Sequence, residues 1–184
     1  IGPFYTKEEA DAEAAKDGST YVEDAGRGYR KVVPSPMPKE IVEKEAVRAL
    51  VEADVLTICS GGGGIPVVAE DGQYVGVEAV NDKDFSARVL AENVDADRLI
   101  ILTGVDNIYI NYNQPDQKAL EQISVAEAEE YIKEGHFAAG SMLPKIEAAL
   151  DFVKGDDKRK AIITSIENLE NIDKEAGTVI SQKG

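Results

Sequence analysis

The stretch that decides the fold is ADVLTICSGGGGIPVV, residues 53–68, in which an apolar run passes into four consecutive glycines. Residues 54–59 predict a buried strand, and Gly61, Gly62, Gly63 and Gly64 end it because glycine lets the backbone turn sharply. The N–H groups of such a turn can approach an anion, and open α/β sheets bind ligands at the carboxyl ends of their strands. Two interpretations stay open: a loop for substrate or phosphate, or a flexible turn.

The glycine run matches neither of two common nucleotide motifs. It is not a Walker A loop, because no Gly-Lys-Ser/Thr follows it, and it is not a dinucleotide fingerprint, because Pro66 and another apolar run follow in place of a helix. Any anion site in this loop therefore has to be recognised from its structural context.

Short apolar runs alternate with amphipathic segments along the rest of the chain. The pattern predicts helices at 7–16, 39–51, 82–92, 124–135 and 144–153. It predicts strands at 65–68, 74–80, 99–102, 108–110, 161–164 and 177–181. Fully apolar strands separated by helices indicate an α/β fold with a mostly parallel sheet sandwiched by helices.

Prolines mark a domain boundary near residue 38. Pro34, Pro36 and Pro38 follow a segment with the pattern of an extended hairpin, and a helical pattern begins directly after them. We therefore predict two domains, a small lobe at 1–38 and an α/β domain at 39–184. Because the chain opens with Ile1 in a sequence typical of the middle of a loop, we also expect an N-terminal half that is missing here.

The composition excludes several classes of function. The 184 residues include 20 Lys and Arg against 35 Asp and Glu, a net charge of −15. Such a chain is a poor partner for nucleic acid or an anionic membrane, which require a basic face, and it contains no apolar run of roughly 20 residues. One Cys and one His cannot build an internal disulfide or a Cys/His zinc cluster, and low cysteine use is typical of a cytoplasmic protein.

Two lysines stand at predicted helix starts. Lys83 lies between Asp82 and Asp84, so it could meet a phosphoryl oxygen, or it could be idle in a solvated first turn that an aspartate caps. Lys145 ends the run GSMLPK, residues 140–145, and opposes the helix dipole. A bound anion would remove that conflict; the alternative is a surface lysine that turns away from the helix end.

The run LTGVDNIYINY, residues 102–112, leads from a strand into a polar turn with two tyrosines. Its Asp or Asn side chains could contact ribose hydroxyls and a tyrosine could stack on a base. A turn with half-buried aromatic side chains is the alternative.

Taken together and in order, these segments resemble the carbamate kinases, a branch of the amino acid kinase family. The matching stretches are IGPF at 1–4, EDAGRGYRKVVPSP at 23–36, SGGGGIPVV at 60–68, EAVNDKDF at 78–85, LTGVDNIYINY at 102–112 and GHFAAGSMLPKIEAAL at 135–150. The resemblance implies the three-layer fold of that family, truncated, with residues 1–38 as a lobe that protrudes over the active site.

The resemblance implies reversible phosphoryl transfer between ATP and carbamate, run toward ATP from carbamoyl phosphate and ADP with Mg²⁺. It gives Lys83 the role of bridging the phosphates, Asp84 that of orienting the lysines, and Lys145 that of holding the nucleotide phosphates. The remaining residues of the implied nucleotide pocket are Thr103, Asp106, Tyr109, Met142 and Pro144. No protein side chain is implied as a metal ligand.

The resemblance also implies a cytoplasmic enzyme of arginine metabolism that forms a homodimer at full length. The glycine-rich turns on the family's phosphoryl-acceptor side have no counterpart here, so we expect this chain alone to bind ADP weakly and to transfer phosphate poorly. Two alternatives stay open: another amino acid kinase, acting on acetylglutamate or a nucleoside monophosphate, and a nucleotide-binding module that does not catalyse.

Overall fold

The computed structural model describes residues 1–24 and 26–184; Ala25, which belongs to the stretch at 23–36 quoted above, lies outside the described residues. The helices, in chain order, are α1 (Lys7–Asp17), α2 (Lys44–Glu52), α3 (Lys83–Asn93), α4 (Val125–Lys133) and α5 (Met142–Lys154). The strands are β1 (Thr20–Glu23), β2 (Tyr29–Val32), β3 (Val67–Glu70), β4 (Gln73–Gly76), β5 (Arg98–Thr103), β6 (Ile108–Ile110), β7 (Lys118–Leu120), β8 (Gln122–Ser124), β9 (Lys160–Ser165) and β10 (Thr178–Ser181). Of the helices described, none is both long enough and apolar enough to cross a membrane.

Two compact units divide the chain differently from the predicted domains. One comprises Ile1–Pro36 and Ile65–Asn81, and the other comprises Met37–Gly64 and Asp82–Gly184. The predicted boundary at residue 38 had assigned residues 65–81 to the α/β domain. Within the first unit, the N–H of Val80 donates to the carbonyl of Pro34 at 3.0 Å.

The first unit consists of α1 and two antiparallel hairpins, β1–β2 and β3–β4. The predicted helix at 7–16 is confirmed, with Thr6 and Glu9 forming a reciprocal capping box at its start. Strands β3 and β4 are joined by a turn at Asp71 and Gly72, which both have positive φ, 48° and 79°, as a two-residue hairpin of this kind requires.

The second unit is built on a four-stranded sheet in the order β5-β9-β10-β8. The pairs β5–β9 and β10–β8 are parallel and β9–β10 is antiparallel, so the predicted mostly parallel sheet is confirmed. Helix α5 packs on the sheet and on α3 through the fully buried side chains Ile146, Phe152 and Val153. A separate hairpin, β6–β7, follows β5.

The hairpin β6–β7 is attached to the sheet by one buried threonine. The hydroxyl of Thr178 accepts the N–H of Ile108 at 2.8 Å and donates to the carbonyl of Leu120. The carbonyl of Leu120 also accepts a hydrogen bond from Asn107 Nδ2 at 3.2 Å, so Thr178 matters most for the buried N–H of Ile108, which would cost free energy without a partner.

The strand predicted at 54–59 is absent: these residues form neither a helix nor a strand. Leu56 and Ile58 are each 96% exposed, and no described strand pairs with this segment. An apolar run becomes a strand only where neighbouring strands satisfy its N–H and C=O groups, and the described residues supply no such neighbour.

Candidate functional site

Lys83, the first candidate lysine, is the first residue of α3. The carboxylate of Asp82 accepts the N–H of Asp84 at 2.7 Å and so caps the helix, as one of the sequence interpretations had it. Lys83 is not idle in that turn, because its ammonium donates to Asp84 Oδ1 at 2.7 Å. The partial positive charge of the helix N-terminus favours the carboxylate of Asp84 at this position.

Asp84 joins the starts of two helices. Its second oxygen, Oδ2, accepts a hydrogen bond at 2.6 Å from the Nζ of Lys145, 61 residues further along the chain, so one carboxylate lies between two ammonium groups. Asp84 is only 7% exposed. The side chain of Lys145 is 14% exposed and that of Lys83 is 56% exposed, so one ammonium is buried and the other reaches water.

The charges of this cluster shift its pKa values in opposite directions. Burial raises the pKa of Asp84, but the hydrogen bonds and charges of Lys145 and Lys83 outweigh burial and hold it below its ordinary value. Burial lowers the pKa of Lys83, but the hydrogen bond and charge of Asp84 hold it above the ordinary value. Asp84 and Lys83 are therefore both charged near neutral pH, and the formal charges of Lys83, Asp84 and Lys145 sum to one positive charge.

Helix α5 begins without the usual compensation for its exposed N–H groups. Ser141 precedes it without a side-chain capping bond, and the first turn contains no acidic residue. Lys145 lies in this turn, where its charge opposes the helix dipole. The carboxylate of Asp84 supplies a negative charge there, so the anion expected at this helix start is provided in part by the protein.

The glycine loop is attached to α3 by a serine that the sequence reasoning missed. Two turn hydrogen bonds close the loop, from Gly61 N–H to the carbonyl of Cys59 at 2.7 Å and from Gly63 N–H to that of Ser60 at 2.9 Å. The carbonyl of Gly63 also accepts the fully buried hydroxyl of Ser86 at 2.8 Å. The buried hydroxyl of Ser60 has no hydrogen-bond partner among the described residues.

A second polar cluster lies at the carboxyl ends of β5 and β9. Thr103 and Ser165 end these parallel strands and are paired in register. Asp106, in the turn after β5, accepts a hydrogen bond from Ser165 Oγ at 2.5 Å. Sequence reasoning missed Ser165, although its position just beyond the predicted strand at 161–164 was a usable signal.

The remaining candidate residues lie on β6 and at the start of α5. Tyr109 is half-buried, with its ring centroid 5.9 Å from that of Tyr112. Met142 and Pro144 share the first turn of α5 with Lys145, and Met142 packs against the core. In the part of the chain that the structure describes, no hydrogen bond or ion pair joins Asp106 or Tyr109 to Asp84 and its two lysines.

The family model named for the amino acid kinase family matches residues 7–165. This chain belongs to the amino acid kinase family. Carbamate kinase 1 of Enterococcus faecium is 56% identical over 99% of the chain, and a carbamate kinase of Lentilactobacillus hilgardii is 55% identical over all of it. The chain spans 58% of the length of each of these two relatives.

Solved structures of this amino acid kinase branch agree with the fold. The carbamate kinase from Giardia lamblia bound to AMP-PNP is 46% identical, with a TM-score of 0.85 over 98% of this chain and 58% of that one. A protein from Aeropyrum pernix K1, described as project APE1968, is 38% identical with a TM-score of 0.89.

Residues 1–24 and 26–184 contain no group of three or more His, Cys, Asp or Glu side chains arranged to hold a metal ion. The side chains that meet at the starts of α3 and α5 are two ammonium groups and one buried carboxylate.

Proposed function

We propose that this chain is the nucleotide-binding part of a carbamate kinase. The observation that carries the proposal is the carboxylate of Asp84 held between Lys83 and Lys145, within a chain 56% identical to a curated carbamate kinase. Phosphoryl transfer requires positioning and charge neutralisation more than covalent chemistry by the protein. Two fixed ammonium groups in a site with one net positive charge suit that requirement.

In the proposed reaction, an oxygen of the ADP β-phosphate attacks the phosphorus of carbamoyl phosphate. The bond from phosphorus to the carbamate oxygen breaks and its electron pair leaves with carbamate, so ATP and carbamate are the products. Lys83, which reaches water, neutralises the transferring phosphoryl group, and Lys145 holds the nucleotide phosphates. Asp84 holds both ammonium groups in place through its two oxygens.

The nucleotide subsite is proposed from the residues around the sheet's carboxyl end and the start of α5. It comprises Thr103, Asp106, Tyr109, Met142 and Pro144, and the glycine loop faces the phosphates. Mg²⁺ is typically bound by substrate phosphates with few protein carboxylates. In this proposal Mg²⁺ arrives with the nucleotide and adds neutralising charge.

Assembly and location are further proposals about the whole protein. The resemblance to carbamate kinases favours a cytoplasmic homodimer that takes part in arginine metabolism. Because this chain spans 58% of its curated relatives, these properties are to be measured on the longer protein.

The test compares two lysines on the same helix. Lys145→Ala removes the ammonium held by Asp84 at the start of α5. Lys154→Ala removes an exposed ammonium at the end of the same helix, where Lys154 pairs with Glu129 of α4. We expect Mg²⁺-dependent ADP binding, measured by calorimetry, to weaken at least about tenfold in Lys145→Ala and to stay unchanged in Lys154→Ala, a difference of about 1.4 kcal/mol.

ATP formation from ADP and carbamoyl phosphate is measured on the same samples. Activity that Lys145→Ala abolishes supports the full proposal, and ADP binding without activity supports the nucleotide-binding part of it. Equal ADP affinity in the two variants would contradict the proposal and indicate that the cluster of Asp84, Lys83 and Lys145 does not bind the nucleotide.

A further inference from the structure

The pair formed by Asp106 and Ser165 has no role in the cluster of Asp84 and its two lysines. Both residues lie where two adjacent parallel strands end, the edge at which open α/β sheets bind ligands. Ser165 is the last residue of β9 and is 2% exposed, whereas Asp106 lies in the turn after β5 and is exposed. A buried hydroxyl thus holds one end of an exposed carboxylate.

The hydrogen bonds of Ser165 fix the direction of its proton. Its Oγ accepts the backbone N–H of Asn168 at 3.1 Å and donates its own hydrogen to Asp106 Oδ1 at 2.5 Å. The hydroxyl hydrogen is therefore committed to the carboxylate. Because β9 is a buried strand in the middle of the sheet, Oδ1 of Asp106 is tied to the most rigid part of the unit.

The second oxygen of Asp106 stays available. The described residues provide no hydrogen-bond partner for Oδ2, and this oxygen carries acceptor capacity only. A phosphate would be repelled by it, and the described carboxylates form no group that could hold a metal ion. An uncharged hydroxyl donor fits the site, and a carboxylate that accepts from ribose hydroxyls is a recurrent device in nucleotide recognition.

We propose that Ser165 is a positioning residue that holds Asp106 so that its free oxygen accepts a hydrogen bond from the ribose hydroxyls of the bound nucleotide. The proposal rests on the proposed nucleotide-binding function. Ser165 acts through Asp106 and does not touch the nucleotide itself. Discrimination between ribose and deoxyribose is the property that this arrangement controls.

The experiment measures the affinity of the chain for ADP, 2′-deoxy-ADP and 3′-deoxy-ADP by calorimetry. We expect the wild-type chain to bind ADP about tenfold more tightly than at least one deoxy analogue. Ser165→Ala lowers the affinity for ADP to about that for the analogue and leaves the analogue's affinity unchanged. Ser165→Thr keeps the hydroxyl, and we expect it to bind ADP more tightly than the deoxy analogue, as the wild-type chain does.

A merely structural role for Ser165 would weaken the binding of all three nucleotides by the same factor, and that result overturns the proposal. Asp106→Ala provides a second test if Ser165→Ala folds poorly, because Asp106 is exposed and its removal disturbs the core less. We expect Asp106→Ala also to bind ADP and the deoxy analogue with about equal affinity. Wild-type chain that binds all three nucleotides equally also overturns the proposal. Ribose discrimination in a chain whose ADP affinity is equal in Lys145→Ala and Lys154→Ala would contradict the proposed phosphate site and leave the role of Ser165 intact.

Discussion

Neutralising Asp84 tests how much this one carboxylate, which joins the starts of α3 and α5, contributes to the stability of the chain. Asp84→Asn keeps the shape of the side chain and removes its charge. The ammonium of Lys145, whose side chain is 14% exposed, then lacks its counter-charge and faces Lys83 across an uncharged amide. Removing one partner of a buried ion pair leaves an uncompensated buried charge, which is more costly than losing a surface pair.

The magnitude follows from the burial of each partner. Breaking a buried pair costs about 3–5 kcal/mol. Lys83 is 56% exposed and water takes over part of its solvation, so we expect the lower end of that range, about 3 kcal/mol. For a chain of this length, that loss lowers the midpoint of thermal unfolding by about 6–12 °C.

The assay is chemical and thermal unfolding of the wild-type chain, Asp84→Asn and a control. Asp11→Asn is the control because the pair of Lys7 and Asp11 also joins a lysine to an aspartate, with side chains 60% and 68% exposed. We expect this control to lose less than about 1 kcal/mol. An equal loss of stability in the two variants at neutral pH would refute the argument.

The pH dependence supplies a second check. The pKa of Asp84 lies below its ordinary value of 3.8 in the folded chain. Its contribution to stability is therefore fully present above pH 3.8 and is lost as the pH falls through the folded pKa. The difference between wild type and Asp84→Asn should be constant above about pH 5 and shrink in more acidic solution.

Two further predictions concern the structure around the site. Thr178→Val removes the hydroxyl that pairs the buried N–H of Ile108, while the carbonyl of Leu120 keeps its hydrogen bond from Asn107, and should lower the free energy of unfolding by about 1–3 kcal/mol in a denaturant titration, whereas Thr178→Ser should stay near wild type. The exposed apolar side chains Leu56 and Ile58 should make the isolated chain self-associate in analytical ultracentrifugation, and changing both to Asp should reduce that association; a monomeric, cooperatively folding wild-type chain would show this expectation to be wrong.

Local signals predicted most of the secondary structure. The helices predicted at 7–16 and 124–135 are present, and each begins with a capping box, of Thr6 and of Ser124; Asp71 and Gly72 form a hairpin turn between the strands predicted at 65–68 and 74–80. Such signals are reliable because a cap or a two-residue turn depends on a few neighbouring residues. The strand predicted at 54–59 was wrong because strand formation depends on a partner, and a partner is not a local property.

The site was harder to predict than the fold, because its central contact joins residues far apart in the chain. Spacing placed Lys83 and Asp84 in one helical turn but could not show that Lys145 meets the same carboxylate. Ser86 and Ser165 were missed for the same reason, since a serine has no distinctive pattern and its role appears only when its partner is known.

The geometry of Asp84 bears on how an acidic chain could hold the proposed site for phosphates. The net charge of −15 repels anions over the chain as a whole, so attraction has to be local. Helices α3 and α5 both begin at the cluster, so the positive ends of their dipoles add to its two ammonium groups. Without a carboxylate between them, the two lysines would repel each other. Asp84 offsets that repulsion, and the formal charges of the three side chains leave one positive charge for the proposed phosphate site.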